Sequence, residues 1–284
     1  MSVLSLNNIN ISVKGRPLIC DSKIEINEGD VVLLSGKNGS GKSTIIKMIM
    51  GDIGDNRDIC AKAKLSLNSM NIDTSKLREI FNQRVCYISQ EDIFESNRII
   101  DCCLTSITVV DGISNREKYI FDLVLKYRMF SICFSSEENP SLKLTDFLAR
   151  RILKKVGISI DNANSDEIKA SLFLAKNPHN LSGGQKKMVN IFCNLVRYEY
   201  SDVCIIDEPL NALDFNNVRL FSNFLTSIHK NKPQICFLIV THCRSIPCIT
   251  RFLNIENQCI VESFEKTTCY NCFGEINEEG YYVL

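Results

Sequence analysis

The sequence predicts an α/β fold: a mostly parallel sheet, an antiparallel β part at the N-terminal end, and an α-helical subdomain inserted between its strands. Three observations predict it. The apolar run Val31, Val32, Leu33, Leu34 passes through a glycine-rich turn into the helical stretch Ile45 to Met50. Val203 to Asp207 (VCIID) and Ile235 to Thr241 (ICFLIVT) flank an amphipathic helix carrying Val218, Phe221, Phe224, Leu225 and Ile228. That strand-helix-strand order calls for parallel strands. Between Ile99 and Ser182 the period is helical, with Ile120, Leu123, Val124 and Tyr127 on one face and Leu144, Leu148, Ile152 and Val156 on another.

Taken in order, Val3, Leu4, Leu6, Ile9, Ile11 and Val13 alternate, and Ile24 and Ile26 repeat the period, as antiparallel strands do. Glu28-Gly29-Asp30 is a turn into the next strand. Gly51 to Lys64 reads as polar and interrupted, and Leu65 and Leu67 open a further strand. Arg84 to Gln90 (RVCYISQ) is another buried strand, ending at a glutamine. Ser135 to Ser141 (SSEENPS) is a surface loop, and Gly157 stops the helix before it. The domain reading is a main domain at 1–262 with its helical subdomain at about 95–185, then a C-terminal tail at 263–284.

Bulk composition excludes several function classes. Lys plus Arg total 33 and Asp plus Glu total 33, so the whole-chain charge makes no electrostatic case for nucleic acid. The 14 cysteines are scattered through apolar runs, as Cys204 and Cys236 are, which reads as free thiols in a reducing compartment. No signal peptide opens the chain. The longest apolar run, Ile235 to Val240, is far short of the roughly 20 residues a spanning helix needs. Cys269-Tyr-Asn-Cys272 could be half of a zinc site, but no second pair stands at zinc-site spacing, and a docking tail is the default reading.

The chemistry concentrates at Gly36 to Thr44, GKNGSGKST, which fits G-x-x-x-x-G-K-[ST] without mismatch. Between a buried strand and a helix start, such a turn aims backbone N–H groups and the positive helix end at one point, where a triphosphate fits. The core is therefore a phosphate-loop NTPase core. Lys42 would reach the β- and γ-phosphates, and Ser43 would hold Mg²⁺. Asp207 and Glu208 end an apolar strand, so Asp207 is a second Mg²⁺ candidate, although apolar strands ending in Asp are common. Leu181 to Gln185 (LSGGQ) opens an amphipathic stretch through Val189, Phe192 and Val196. It is either a second anion site or an ordinary N-cap serine with turn glycines.

Taken together and in order, the phosphate loop, Gln90, LSGGQ, the strand ending Asp207-Glu208 and Thr241-His242 resemble the nucleotide-binding subunit of an ATP-binding cassette (ABC) transporter, over roughly residues 2–262. Residues 71–94 look most like stand-alone exporter-type cassettes. The resemblance implies an ATPase that powers transport by a separately encoded membrane permease, with ATP and Mg²⁺ bound. The implied nucleotide contacts are Gly36, Asn38, Gly39, Ser40, Gly41, Lys42, Ser43, Thr44 and Gln90, together with Ser182, Gly183, Gly184 and Gln185. Ser43, Gln90 and Asp207 would serve Mg²⁺. In the implied chemistry Glu208 polarises the attacking water, Lys42 supports the transferred phosphate, and His242 contacts it as a switch.

Asn211 to Asp214 match the family's D-loop, although Asn replaces the more frequent Ser. LSGGQ in this family closes over the ATP of a second cassette, which implies a homo- or heterodimer. The implied location is cytoplasmic, at the inner membrane face through the permease, with no nucleic-acid partner. Two departures stand out. Residues 10–20 lack the aromatic on which the family stacks adenine, leaving Val13 or Arg16 in that place. The helical region is also long, and its surplus at 110–145 is the expected partner-specific contact. The competing reading is a soluble ABC-type ATPase acting as a mechanical clamp on ribosomes or chromosomes.

Overall fold

A computed structural model of the chain describes residues 1–53, 58–72, 80, 83–135, 137–142, 146–210, 213–241, 246 and 248–263. Strand β1 (Ser2–Val13) and β2 (Arg16–Asn27) form an antiparallel hairpin. Its turn residues Lys14 and Gly15 have φ of 50° and 75°, and positive φ at both central positions matches the twist of a two-residue hairpin. Strand β4 (Ile59–Leu67) pairs with the other edge of β1, from Val13↔Ile59 to Leu4↔Leu67, and β5 (Met70–Asn71) follows it in this antiparallel sheet. The polar reading of 51–64 thus ran too far. Ala61 and Ala63 alternate with Lys62 and Lys64, a period of two carried by side chains too small to signal burial.

The second sheet has the order β10-β9-β3-β8-β7-β6. Its strands are β3 (Val31–Gly36), β6 (Val85–Ile88), β7 (Val203–Asp207), β8 (Cys236–Val240), β9 (Arg251–Glu256) and β10 (Cys259–Ser263). All neighbours are parallel except β9 and β10. β3 lies between β8 and β9, and Val31 to Leu34 are fully buried. A strand covered on both faces needs an uninterrupted apolar run, and each such side chain stabilises the fold by about 1.5–3 kcal/mol. Val32 and Leu34 join one core with Leu4, Leu6, Ile24 and Ile26 of the hairpin and with Ile45, Ile46 and Ile49 of helix α1 (Lys42–Ile49).

β9 and β10 fall where the sequence pattern shows no strand, because Arg251 and Asn254 break the apolar period. Both are satisfied internally. Arg251 pairs with Asp30 at 2.8 Å and Glu262 at 2.7 Å, and Asn254 accepts from the Ser35 hydroxyl at 3.1 Å.

The chain divides into two compact units. One comprises the described residues of Met1–Gln90, Tyr198–Asn211 and Leu225–Leu284 and holds both sheets and α1. The other comprises those of Glu91–Arg197 and Ala212–Phe224. It contains α2 (Ile99–Ser106), α3 (Arg116–Lys126), α4 (Phe147–Lys155), α5 (Ser165–Ala175) and α6 (Gly183–Leu195), plus the first part of α7 (Phe215–Asn231). Phe121, Phe130, Phe173 and Phe192 fill its core, with the last two rings 6.2 Å apart. Side chains cap four of these helices: Asn115 caps α3, Asn164 with Glu167 caps α5, Ser182 with Gln185 caps α6, and Asp214 caps α7. Among the described residues no helix is long and apolar enough to cross a membrane. Cys269 and Cys272 lie outside the described residues.

Candidate functional site

The site is built where β3 gives way to α1. Gly36 closes the strand, and a Cβ there would stand 2.8 Å from the Ser40 hydroxyl and 3.1 Å from the Ile255 Cβ, so the close approach admits only glycine. The Ser40 N–H donates to the Lys37 carbonyl at 3.1 Å, turning the loop back on itself. Gly41 at φ 103° is the N-cap of α1. No side chain caps this helix, and no acidic residue sits in its first turn. The N–H groups that open a helix have no intrahelical acceptor, so Lys42, Ser43 and Thr44 present uncommitted donors at a positive helix end.

Lys42 is buried, and its ammonium donates to the carbonyls of Gly36 at 2.8 Å and Lys37 at 3.2 Å. Burial pushes its pKa below the usual lysine range, while Glu208 and then Asp207 pull it back up. These carboxylates arrive at the end of β7. Asp207 is its last residue, and both side chains are buried. Glu208 follows at φ 48°, an uncommon conformation for a side-chain-bearing residue, with its N–H donating to the Val240 carbonyl at 2.8 Å.

A cleft of about 1090 Å³ brings the loop, the start of α1 and Glu208 together, and Asp207 is not among its lining residues. From the predicted set, Asn38, Gly39, Gly41, Lys42, Ser43, Thr44, Gln90 and Glu208 line it. Gly36 and Ser40 instead line a neighbouring cleft of about 690 Å³ beside Asn254 to Gln258. Val13 and Arg16 stand in the larger cleft, and so do Lys14 and Leu18, which the sequence reading passed over. The signal for those two was the Lys14-Gly15 turn, which folds the hairpin end onto the loop.

Ser182 to Gln185 belong to the helical unit and line neither cleft. Ser182 is the N-cap of α6: its hydroxyl accepts from the Gln185 N–H at 3.4 Å, and Gln185 Oε1 accepts from the Ser182 N–H at 3.2 Å. The Gln185 amide also donates to the Ile132 carbonyl at 2.8 Å. Asp214 accepts from the Asn217 N–H at 2.8 Å as α7 begins, and a Cβ on Gly184 would meet the Asn217 amide at 2.6 Å. His242, Asn211 and Ala212 lie outside the described residues.

The arrangement can hold a polyanion at an uncapped helix start, with one buried cation beside it and two carboxylates across from it. Comparison with known proteins gives that chemistry a family. The family model described as ABC transporter matches residues 19–211. A putative ABC transporter ATP-binding protein of Clostridium acetobutylicum is 26% identical over 235 residues, covering 82% of this chain and 81% of that protein. The ergothioneine transport ATP-binding protein EgtV of Helicobacter pylori is 24% identical over 242 residues, covering 84% and 90%. The crystal structure of a nucleotide-free ATP-binding cassette from an ABC transporter superposes with a TM-score of 0.62 at 18% identity, over 93% of this chain and 91% of that one. The chain belongs to the ABC transporter family, as one of its ATP-binding cassette ATPases.

Proposed function

We propose that this cassette hydrolyses ATP to power substrate transport by a separately encoded permease, working as a dimer with a second, identical or different, cassette. The observation that carries the reading is the single cleft in which the uncapped start of α1, Gln90 and Glu208 meet. In it the triphosphate lies on the N–H groups of Lys42, Ser43 and Thr44 and the loop backbone of Asn38 to Gly41. Ser43, Asp207 and Gln90 offer a hydroxyl, a carboxylate and an amide oxygen, the hard donor set that suits Mg²⁺. When bound, that ion would neutralise charge on the phosphates.

In this reading Glu208 orients and polarises water for attack, and Lys42 stabilises the transferred group. His242 contacts that group in this reading. Ser182, Gly183, Gly184 and Gln185 serve the nucleotide of the partner cassette. Residues 1–262 form the working domain, and 263–284 a docking tail. The base end of the cleft falls to Val13, Leu18 and Arg16, since no aromatic side chain lines it among the described residues.

Transport places the assembly at the cytoplasmic face of the membrane. Glu208→Gln tests the chemistry: turnover should fall by about 10²–10⁴-fold while ATP binding persists. Undiminished hydrolysis would remove Glu208 from its role. Affinity purification from membranes tests the partner. Co-purification of a multi-helix permease supports transport, whereas ribosomal or DNA partners would favour a clamp.

A further inference from the structure

The helical unit contains a buried charge close to the start of α6. Lys187, in the second turn of α6, is 2% exposed, and its ammonium stands 3.5 Å from a carboxylate oxygen of Asp92. Asn190, one turn further along and 3% exposed, directs its amide to the same oxygen at 3.3 Å and to the Glu91 carbonyl at 3.4 Å. Residues three apart share a helix face, which is how two side chains of α6 reach one carboxylate.

The helix dipole and the desolvation of the pair do not favour a lysine here. A cation near the positive end of a helix gains nothing from the dipole. Burying an ion pair costs desolvation that an apolar side chain of similar length avoids, and such replacements are often neutral or stabilising. What the pair does achieve is positional. Glu91 and Asp92 are the two residues that follow Gln90, and Lys187 comes two residues after the Ser182–Gln185 cap.

We propose that Lys187 and Asn190 are positioning residues for ATP hydrolysis. They pin the segment leaving Gln90 to α6, so that a displacement of Gln90 on engaging nucleotide is passed to the Ser182–Gln185 end of that helix. The inference rests on the reading of Gln90 and LSGGQ given above. It assigns Lys187 and Asn190 no contact with the nucleotide, so their effect falls on turnover rather than on binding.

The test is steady-state ATP hydrolysis and thermal unfolding of the full chain, for the wild type, Lys187→Met, the double variant Lys187→Met with Asp92→Ala, and Gln90→Ala. Lys187→Met is expected to lower kcat about tenfold, to leave KM for ATP within about twofold, and to lower Tm by no more than a few degrees, since Asp92 keeps Asn190 and partial access to water. The double variant should lose no more than the single, since both break one link. Wild-type kcat in Lys187→Met, or a KM rise as large as the kcat loss, would overturn the inference alone if Gln90→Ala still loses turnover. Full turnover in Gln90→Ala would overturn the reading of Gln90 and the inference with it.

Discussion

Two helices of this chain begin with glycine and serine, and they treat their N-termini in opposite ways. α1 starts at Gly41 with no side-chain cap and no acid in its first turn, and Lys42 packs beneath it. α6 starts at Ser182 with a complete capping box, each of Ser182 and Gln185 satisfying the other's backbone. The first terminus leaves its donors for something outside the protein, and the second has already supplied its own acceptor. Sequence composition alone makes the two look alike. The difference teaches that, of the two, α1 alone leaves its start open to an anion in the lone chain, and that α6 must take its ligand while keeping, or giving up, a bond worth about 1 kcal/mol.

The comparison breaks most visibly at Lys42. Lys42→Ala should weaken ATP or tripolyphosphate binding by about 10- to 100-fold in calorimetry, the scale of a charged hydrogen bond to phosphate. An effect below twofold would mean that the backbone of α1 holds the anion unaided.

The next effect is one of pH. Burial lowers the Lys42 pKa, so in the window between that folded value and 10.5 the unfolded chain binds more protons. Relative to an unshifted lysine, the group therefore costs stability below its folded pKa, and the cost is relieved as pH rises through it. ATP favours the charged form, so its affinity should fall with alkaline pH earlier than an unperturbed lysine near 10.5 would allow. Titration of affinity against pH in wild type and Lys42→Arg checks this, since the arginine variant should show no such fall.

The smaller effects lie at α6. Ser182→Ala should lower stability by about 1 kcal/mol, a Tm drop of roughly 2–4 °C, with ATP affinity of the monomeric chain unchanged. Loss of monomer affinity in that variant would put α6 in the same site as α1. Gln185→Ala should cost at least as much in stability as Ser182→Ala, since its side chain also holds the Ile132 carbonyl, and the same melting experiment reads it.

Much of this was legible in the residues. The buried run Val31 to Leu34, the glycine loop and α1 announce themselves, as do β7 and β8, because strands covered on both faces must be written in consecutive apolar side chains. β9 was not legible. Its Arg251 and Asn254 look like loop residues until Asp30, Glu262 and Ser35, all distant in sequence, are seen to satisfy them. The same limit applies to the site. Spacing identifies the phosphate loop, but only the fold shows the Lys42 ammonium turned back on the Gly36 and Lys37 carbonyls, or the β1–β2 turn reaching the cleft. Local pattern carries local structure, whereas long-range polar pairing leaves no periodic trace.

The position of β3 has a consequence for how the chain comes into being. Its neighbours are β8 and β9, and the Val31 N–H finds the Thr250 hydroxyl across 219 residues of sequence. At about 5–20 residues per second, synthesis leaves this buried strand without a partner for roughly 10–40 s. During that interval the β1–β2 hairpin and the helical unit can form from contacts near in sequence, but the strand that leads into the phosphate loop cannot. Nucleotide binding is therefore among the last properties the nascent chain acquires, and a chain halted before β8 exposes an unpaired hydrophobic strand to chaperones and to aggregation.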